Sequence, residues 1–93
     1  MDLSIIILNW NNKDFIGDCL RSIFDEIHGL DAEVIIIDNG STDRSLELIE
    51  KDFPAVKLIK NSENEFFAKA NNQGVAAASG KWVMTLGLSL IHI

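Results

Sequence analysis

Short apolar runs alternate with amphipathic stretches along most of this chain. The runs Leu3–Leu8 and Val34–Ile37 are rich in β-branched residues and lack polar alternation, which is typical of strands that are buried on both faces. Val56–Ile59 and Lys81–Leu86 predict two further strands. Lys57 interrupts the third run, so we expect that strand to lie nearer the edge of the sheet.

Two stretches with apolar residues at spacings of three and four predict amphipathic helices after the first two strands. The first is marked by Phe15, Ile16, Cys19, Leu20, Ile23, Phe24 and Ile27. Asn12 is a candidate N-cap for it. The second helix runs from about Asp43 to Asp52, and Ser41 or Thr42 offers an oxygen to cap it. Asp43 is expected to interact with the dipole of this helix in its first turn.

A third helix, rich in small residues, is predicted from Phe67 to Ala78 and ends before Gly80. Small side chains allow such a helix to lie close to a sheet. Strands and helices thus alternate with short connections, which predicts an α/β fold with a parallel, doubly wound sheet and right-handed crossovers. At 93 residues, the chain has room for one small domain.

The charge balance excludes some classes of partner. The formal net charge is −6, which argues against nucleic acid or an anionic membrane surface. Leu3–Leu8 is far too short for a signal sequence or a membrane span, so we expect no membrane segment in this chain. Cys19 is the only cysteine, so no internal disulfide is possible and a reduced, cytosolic setting is expected.

Asp38-Asn39-Gly40 ends the second buried run and is a turn signal. A carboxylate is therefore predicted at the carboxyl end of a buried strand, above the N-terminus of the next helix. Ligands of open α/β sheets bind at such positions. The alternative is an Asx turn in which Asp38 bonds only to nearby backbone amides. The residues alone do not separate these two interpretations.

Four motifs in one order connect the chain to a known family. Asn-Trp-Asn spans 9–11, Asp-Asn-Gly-Ser-Thr-Asp spans 38–43, Asn-x-x-Phe-Ala-x-x-Asn-Asn-x-Gly spans 64–74 and Gly-Lys-Trp-Val spans 80–83. Together they resemble glycosyltransferase family 2, and the first two are most similar to its rhamnosyltransferase-like members. The resemblance implies an incomplete GT-A fold, the fold of nucleotide-diphospho-sugar transferases. Residues 1–86 would be its nucleotide-binding half, and 87–93 an atypical tail left by a truncation or frameshift.

The resemblance also implies a set of nucleotide-binding residues, namely Asn9, Trp10, Asn11, Asp38, Asn39 and Asn72. In this interpretation Asp38 accepts a hydrogen bond from the base, typically from uracil N3–H, and the donor is a UDP- or dTDP-sugar. Asn9, Trp10 and Asn11 would line the base and the ribose, with packing as an equal alternative for Trp10. For Asn72, on the third helix, structural capping and lining of the site are equal alternatives.

The family places an Asp-x-Asp acidic pair after the fourth strand, and those carboxylates hold Mg²⁺ or Mn²⁺ against the donor's diphosphate. Here Leu86-Gly87-Leu88 stands in that place, and no carboxylate occurs from Lys81 to Ile93. We therefore predict no metal-binding and no catalytic residue in this chain, and we expect the chain alone to be inactive. The resemblance implies that the intact enzyme is cytoplasmic or peripheral to the membrane. Its acceptor would be a glycan or a lipid-linked sugar, in polysaccharide or cell-envelope glycan synthesis.

Two other functions fit parts of the pattern. A small non-catalytic module that binds a nucleotide would share the same polar residues at the strand ends. The bare apolar sequence of the tail favours an enzyme fragment over such a module. A receiver-like signalling domain is also doubly wound, but it needs an acidic pair just after the first strand, where this chain has Asn9, Asn11 and Asn12.

Overall fold

The computed structural model describes residues 2–61 and 67–87. Strands and helices alternate along these residues as β1 (Leu3–Asn9), α1 (Lys13–Glu26), β2 (Ala32–Asn39), α2 (Ser45–Asp52), β3 (Lys57–Asn61), α3 (Phe67–Ala77) and β4 (Trp82–Gly87). The predicted order of elements is confirmed, with boundaries that differ by a residue or two. The predicted tail beyond Gly87 and the start of the third motif, 64–66, lie outside the described residues.

The four strands form one parallel sheet in the order β3-β2-β1-β4. β1 and β2 are the central pair, and β3 lies at an edge, as predicted from Lys57, whose side chain is exposed. In the register, Asn9 pairs with Asp38, and Asn39 pairs with Asn61. The carboxyl ends of three neighbouring strands therefore present polar residues at the C-terminal end of the sheet, which we also call its carboxyl edge.

Helices cover both faces of the central strands. One face packs against α1 and α2 in a cluster of Ile5, Ile7, Ile16, Leu20, Val34, Ile36 and Ile49. The other face forms a cluster of Ile6, Leu8, Ile35 and Ile37, against which Ala77 and Ala78 pack at the end of α3. Residues 34–37 are at most 2% exposed, so β2 is buried on both faces as predicted. This arrangement confirms the doubly wound sheet.

α3 and the turn after it lie close to β1. Gly74 of α3 sits over Ile6, and a β-carbon at that position would overlap the isoleucine side chain. Gly80 lies against the start of β1, and its amide donates to Ser4 Oγ at 2.7 Å. Ser4 in turn donates to Glu33 Oε2 at 2.6 Å. The prediction that small residues let this helix approach the sheet is confirmed.

The first helix begins where predicted, but a different residue caps it. Asn12 occupies the N-cap position of α1, yet its side chain donates to the carbonyl oxygen of Trp10 at 3.0 Å and caps nothing. The amide of Lys13 instead donates to Asp43 Oδ2 at 2.9 Å. Asn12 is thus the N-cap residue as predicted, but its side chain makes no capping bond, because a segment 30 residues away supplies the acceptor.

The second helix begins later than predicted. α2 starts at Ser45, and its N-cap is Arg44 in the left-handed conformation, with φ of 70°. Ser41 and Thr42 therefore lie too far upstream to cap it, which corrects that prediction. The Ser41 hydroxyl donates to Asp38 instead, at 2.6 Å.

β4 forms the second edge of the sheet and carries exposed apolar side chains. Trp82 is 69% exposed, and Val83 and Met84 are also exposed. An apolar cavity of about 240 Å³ lies beside this strand, between Leu86 and Ile23 of α1. None of the helices in the described part of the chain is long and apolar enough to cross a membrane.

Candidate functional site

Polar side chains converge where β1 and β2 end. We call Asn9, Asn11, Asp38, Ser41 and Ser45 the strand-tip network. Asn9 and Asp38 are register partners on the two central strands. Because side chains alternate along a strand, both point to the face that α1 and α2 cover. Ser45 is the first residue of α2, so the N-terminus of this helix closes the network on that face.

Asp38 is fully buried and is bonded by protein donors. Its Oδ1 accepts hydrogen bonds from Asn9 Nδ2 at 2.7 Å and from Ser41 Oγ at 2.6 Å, and its Oδ2 accepts the Ser41 amide at 2.9 Å. The bond from the Ser41 amide holds the turn after β2 but spans three residues, one more than in an Asx turn. An ionised carboxylate offers about four acceptor positions, so Oδ2 keeps a position that a ligand could use.

Asn9 is the donor at the centre of the strand-tip network and is also fully buried. Its Nδ2 lies 2.7 Å from Asp38 Oδ1, 3.0 Å from Ser45 Oγ and 3.3 Å from Ser41 Oγ. The opposite orientation of the amide would place its oxygen against the Asp38 carboxylate, so the contacts fix the orientation. Asn9 Oδ1 has no hydrogen-bond partner among the described residues. The hydrogen bonds that this side chain makes among the described residues are all donated by Nδ2.

Asn11 ties the loop after β1 to the loop after β2. Its backbone amide donates to Ser41 Oγ at 3.0 Å, and its side-chain Oδ1 accepts the backbone amide of Thr42 at 2.8 Å. The residue adopts a left-handed φ of 52°, a conformation in which Asn is enriched. Trp10 beside it is 45% exposed, so much of its ring is open to solvent. Stacking on a base stays a prediction for this residue.

Asn39 belongs to a second polar cluster on the opposite face of the sheet. Asn61 Nδ2 donates to Asn39 Oδ1 at 2.9 Å, and Asn61 and Gln73 exchange two hydrogen bonds of 2.9 and 3.1 Å. This cluster joins the ends of β2 and β3 to α3. Asn72 is exposed on α3, and no hydrogen bond between described residues connects it to the strand-tip network.

Asp43 joins the N-termini of α1 and α2. Its Oδ2 accepts the Lys13 amide at 2.9 Å, and its Oδ1 accepts the Ser45 amide at 3.0 Å. Burial raises the pKa of this carboxyl, but hydrogen bonds from Ser45 and from the backbone amides outweigh burial and hold the pKa below its ordinary value. Asp43 is thus a partner of two helix N-termini, where a role at one was predicted.

Asp43→Ala is expected to lower the free energy of unfolding by about 2 kcal/mol, since each helix cap contributes about 1 kcal/mol. The pKa of Asp43 is depressed in the folded chain. Its stabilising effect is therefore fully present above its unfolded pKa and is lost as the pH falls through its folded pKa. Urea unfolding between about pH 7 and about pH 3 measures both effects. Asp18→Asn, at an exposed position, is the control. An identical acid-induced loss in wild type and Asp43→Ala would contradict this role.

The family of this chain follows from its sequence. The model for Glycosyl transferase family 2 matches residues 4–87. The chain belongs to glycosyltransferase family 2. It spans about a third or less of the length of the curated family relatives that it matches, 24% in one case and 34% in another.

One curated relative and two solved structures show which family 2 proteins and which fold this chain is similar to. It is 31% identical over 87 residues to TuaG of Bacillus subtilis (strain 168), a putative teichuronic acid biosynthesis glycosyltransferase, covering 90% of this chain and 34% of TuaG. Its fold matches S. aureus TarS, solved in complex with UDP, with a TM-score of 0.83, 25% identity and coverage of 94% of this chain and 27% of TarS. Its fold also matches the mannosyltransferase PcManGT of Pyrobaculum calidifontis, solved with GDP-Man and Mn²⁺, with a TM-score of 0.76 and 25% identity. This match covers 87% of this chain and 25% of PcManGT. The predicted GT-A fold is confirmed, and the rhamnosyltransferase-like subtype stays a prediction.

The divalent metal expected for family 2 does not fit the described residues. Within 2–61 and 67–87, no group of three or more His, Cys, Asp or Glu side chains is arranged to hold an ion. Asp38 and Asp43, the carboxylates at this edge of the sheet, already accept hydrogen bonds from the protein. At the end of β4, Leu86 and Gly87 offer only backbone oxygens. We therefore assign no metal ligand among these residues.

Three side chains of the two polar clusters were not predicted from the sequence. Ser45 lies within the predicted second helix, where nothing distinguishes it from a surface residue. Asn61 ends β3 as Asp38 and Asn39 end β2, so the rule for carboxyl ends of strands would have found it. The role of Gln73 shows only in its pairing with Asn61, a contact that the helical pattern does not encode.

Proposed function

We propose that this chain forms the nucleotide-binding part of a family 2 glycosyltransferase that transfers a sugar from a UDP- or dTDP-sugar to an acceptor hydroxyl. The observation that carries the proposal is the buried Asn9–Asp38 pair at the carboxyl edge of the two central strands, since ligands of open α/β sheets bind outside this edge. The similarity to TarS, solved with UDP, supports this donor class. The similarity to TuaG supports polysaccharide or cell-envelope glycan synthesis, with a glycan or a lipid-linked sugar as acceptor.

Five of the six predicted site residues, all except Asn9, line the proposed nucleotide site. The open acceptor position of Asp38 Oδ2 takes the N3–H of uracil or thymine. Because Asp38 is buried, the base has to displace part of the loops after β1 and β2 to reach it. Trp10 offers the base a ring face, and stacking of this kind contributes about 1–3 kcal/mol. Asn11 lies beside it at the surface, and Asn39 and Asn72 supply polar groups on the α3 side.

Calorimetric titration with UDP, dTDP and GDP tests the donor class. Uracil and thymine present one N–H between two carbonyls, whereas guanine presents an N–H beside an amino group. A site built for the pyrimidines should therefore bind GDP more weakly. GDP is the relevant competitor because PcManGT was solved with GDP-Man. A preference for GDP would replace the proposed donor class, and binding of none of the three would contradict the nucleotide site.

Asp38→Ala is expected to weaken UDP or dTDP binding about tenfold or more, because a hydrogen bond to a charged group contributes about 1.5–3 kcal/mol. Asp38→Asn is the matched variant, since it keeps the shape of the side chain but removes its charge and one acceptor oxygen. Calorimetry measures the affinities, and circular dichroism checks that both variants fold. Unchanged affinity in folded Asp38→Ala would mean that Asp38 serves only the turn after β2.

A non-catalytic module that binds a nucleotide is the competing function. The observation in its favour is the apolar sequence Leu86-Gly87-Leu88, where the family has its acidic pair. Both functions predict nucleotide binding, so only an assay of sugar transfer separates them. As part of the enzyme proposal, we also propose that residues 1–86 are the nucleotide-binding half-domain of the intact glycosyltransferase. The intact protein would act in the cytoplasm or at the periphery of the membrane.

A further inference from the structure

Asn9 donates through its side-chain amide only to protein acceptors among the described residues. Its side chain has no exposed surface and lies against the first residue of α2. Every hydrogen bond that its amide donates goes to Asp38, Ser41 or Ser45. Any effect of Asn9 on a nucleotide therefore passes through these partners, of which Asp38 is the nearest at 2.7 Å.

We propose that Asn9 is a positioning residue whose amide holds the Asp38 carboxylate so that Oδ2 is left for the base. The proposal rests on the nucleotide site proposed above. Asn9 and the Ser41 hydroxyl both donate to Oδ1, whereas Oδ2 receives only the Ser41 amide among the described donors. The Asn9 amide also lies 3.0 Å from Ser45 Oγ, which couples the orientation of the carboxylate to the start of α2.

The chemistry of this position favours an amide. Leucine has a similar volume but donates nothing, so the buried carboxylate would lose a partner. Aspartate has the same shape but would set a second carboxylate against that of Asp38, and two ionised carboxylates in contact repel each other. Asn9 also leaves its own Oδ1 without a partner among the described residues, which costs stability. The residue is therefore better suited to hold Asp38 than to stabilise the fold.

Asn9→Leu tests the proposal through two measurements, UDP affinity by calorimetry and hydrogen exchange of the Ser41 amide. We expect UDP affinity to fall about tenfold, as for loss of a charge-assisted hydrogen bond. The Ser41 amide, which bonds Asp38 Oδ2, should exchange about tenfold faster relative to the amide of Ile36 in the core. Ala55→Leu, at an exposed position, should change neither quantity.

The two measurements separate the proposal from the site on which it rests. Equal UDP affinity in wild type and folded Asn9→Leu would overturn it, as would an unchanged ratio of Ser41 to Ile36 exchange. If wild type binds no UDP but the Ser41 amide exchanges faster in Asn9→Leu than in wild type, the proposed nucleotide site is wrong. The role of Asn9 in holding Asp38 is then still supported. A loss of UDP affinity together with faster Ser41 exchange supports both.

Asn9→Asp keeps the shape of the side chain and covers the case in which the leucine variant does not fold. Charged groups on the neighbouring ends of the packed elements are Lys13, Asp14, Asp43, Arg44, Glu47 and Lys60, the last paired with Glu50. The added carboxyl donates to Asp38 only when it is protonated. UDP affinity relative to wild type should therefore be close to equal at about pH 5 and about tenfold lower at about pH 8. A ratio that does not change with pH would overturn the proposal.

Discussion

The 93-residue chain is expected to transfer no sugar, with or without Mn²⁺. A nucleoside-diphosphate donor is an anion, and this chain already has a net charge of −6, so the diphosphate depends on a cation. No carboxylate occurs from Lys81 to Ile93 to hold one. Metal assistance contributes several kcal/mol, so turnover without it should be about a thousandfold slower or more. We assign no general base among the described residues either, which removes about another 10²–10⁴-fold.

Assays of donor hydrolysis and sugar transfer, each with and without Mn²⁺, test this expectation. The comparison protein is a chimera that joins residues 1–86 to the remainder of TuaG, and TuaG itself is assayed beside it. Activity in the chimera but not in the 93-residue chain would support the family 2 enzyme. Metal-dependent activity in the short chain would contradict the expectation. A chimera that binds nucleotide but transfers nothing would favour the non-catalytic module.

Gly80→Ala is expected to lower the free energy of unfolding by about 3 kcal/mol, at the upper end for overpacking. A β-carbon at this position would lie 2.5 Å from the backbone nitrogen of Ser4 and 2.7 Å from the carbonyl carbon of Leu3. Backbone atoms cannot rotate away as the end of a side chain can. β1 would have to move, although it pairs with β2 and β4 on its two sides. Because small domains have only about 5–15 kcal/mol of stability, this loss is large.

Gly17→Ala is the matched control, with an effect of the opposite sign. Gly17 lies in α1, where an added β-carbon would meet Leu48 at 3.7 Å and Arg21 at 3.9 Å, both ordinary contacts. Alanine inside a helix is about 0.5–1 kcal/mol more favourable than glycine. Urea unfolding of wild type and the two variants measures both changes. Equal stabilities of the two variants would contradict the close packing at Gly80.

The fold was predictable where one local property determined an element. The β-branched run 34–37 predicted a strand buried on both faces, because only such a strand has no need of polar alternation. The helix ends were less predictable, since the caps are not local. Asp43 accepts amides from the starts of both α1 and α2, and the first of these lies 30 residues away in the chain. No window around Asn12 contains that acceptor.

The candidate site was predictable in position but not in its internal order. The rule for carboxyl ends of strands predicted Asp38 at this end of the sheet, and the family resemblance implied Asn9 and Asn39 beside it. Because side chains alternate along a strand, Asp38 and Asn39 lie on opposite faces of the sheet. Asp38 faces the α2 side and Asn39 faces the α3 side. The sequence does not show how far the first turn of α2 covers the Asn9–Asp38 pair. Nor does it show the pairing of Asn61 with Gln73, which depends on how α3 packs on β3.

Partners in the strand-tip network are far apart in the sequence. Asn9 is 29 residues from Asp38 and 36 from Ser45. Such contacts form only after the intervening chain has closed into a loop, and the entropic cost of closure comes first. The site is therefore absent from any folding intermediate in which β1 and β2 are unpaired. A nucleotide selective for the paired state would thus act as a folding ligand, adding about 2.7 kcal/mol to the free energy of unfolding at about 100 times its Kd.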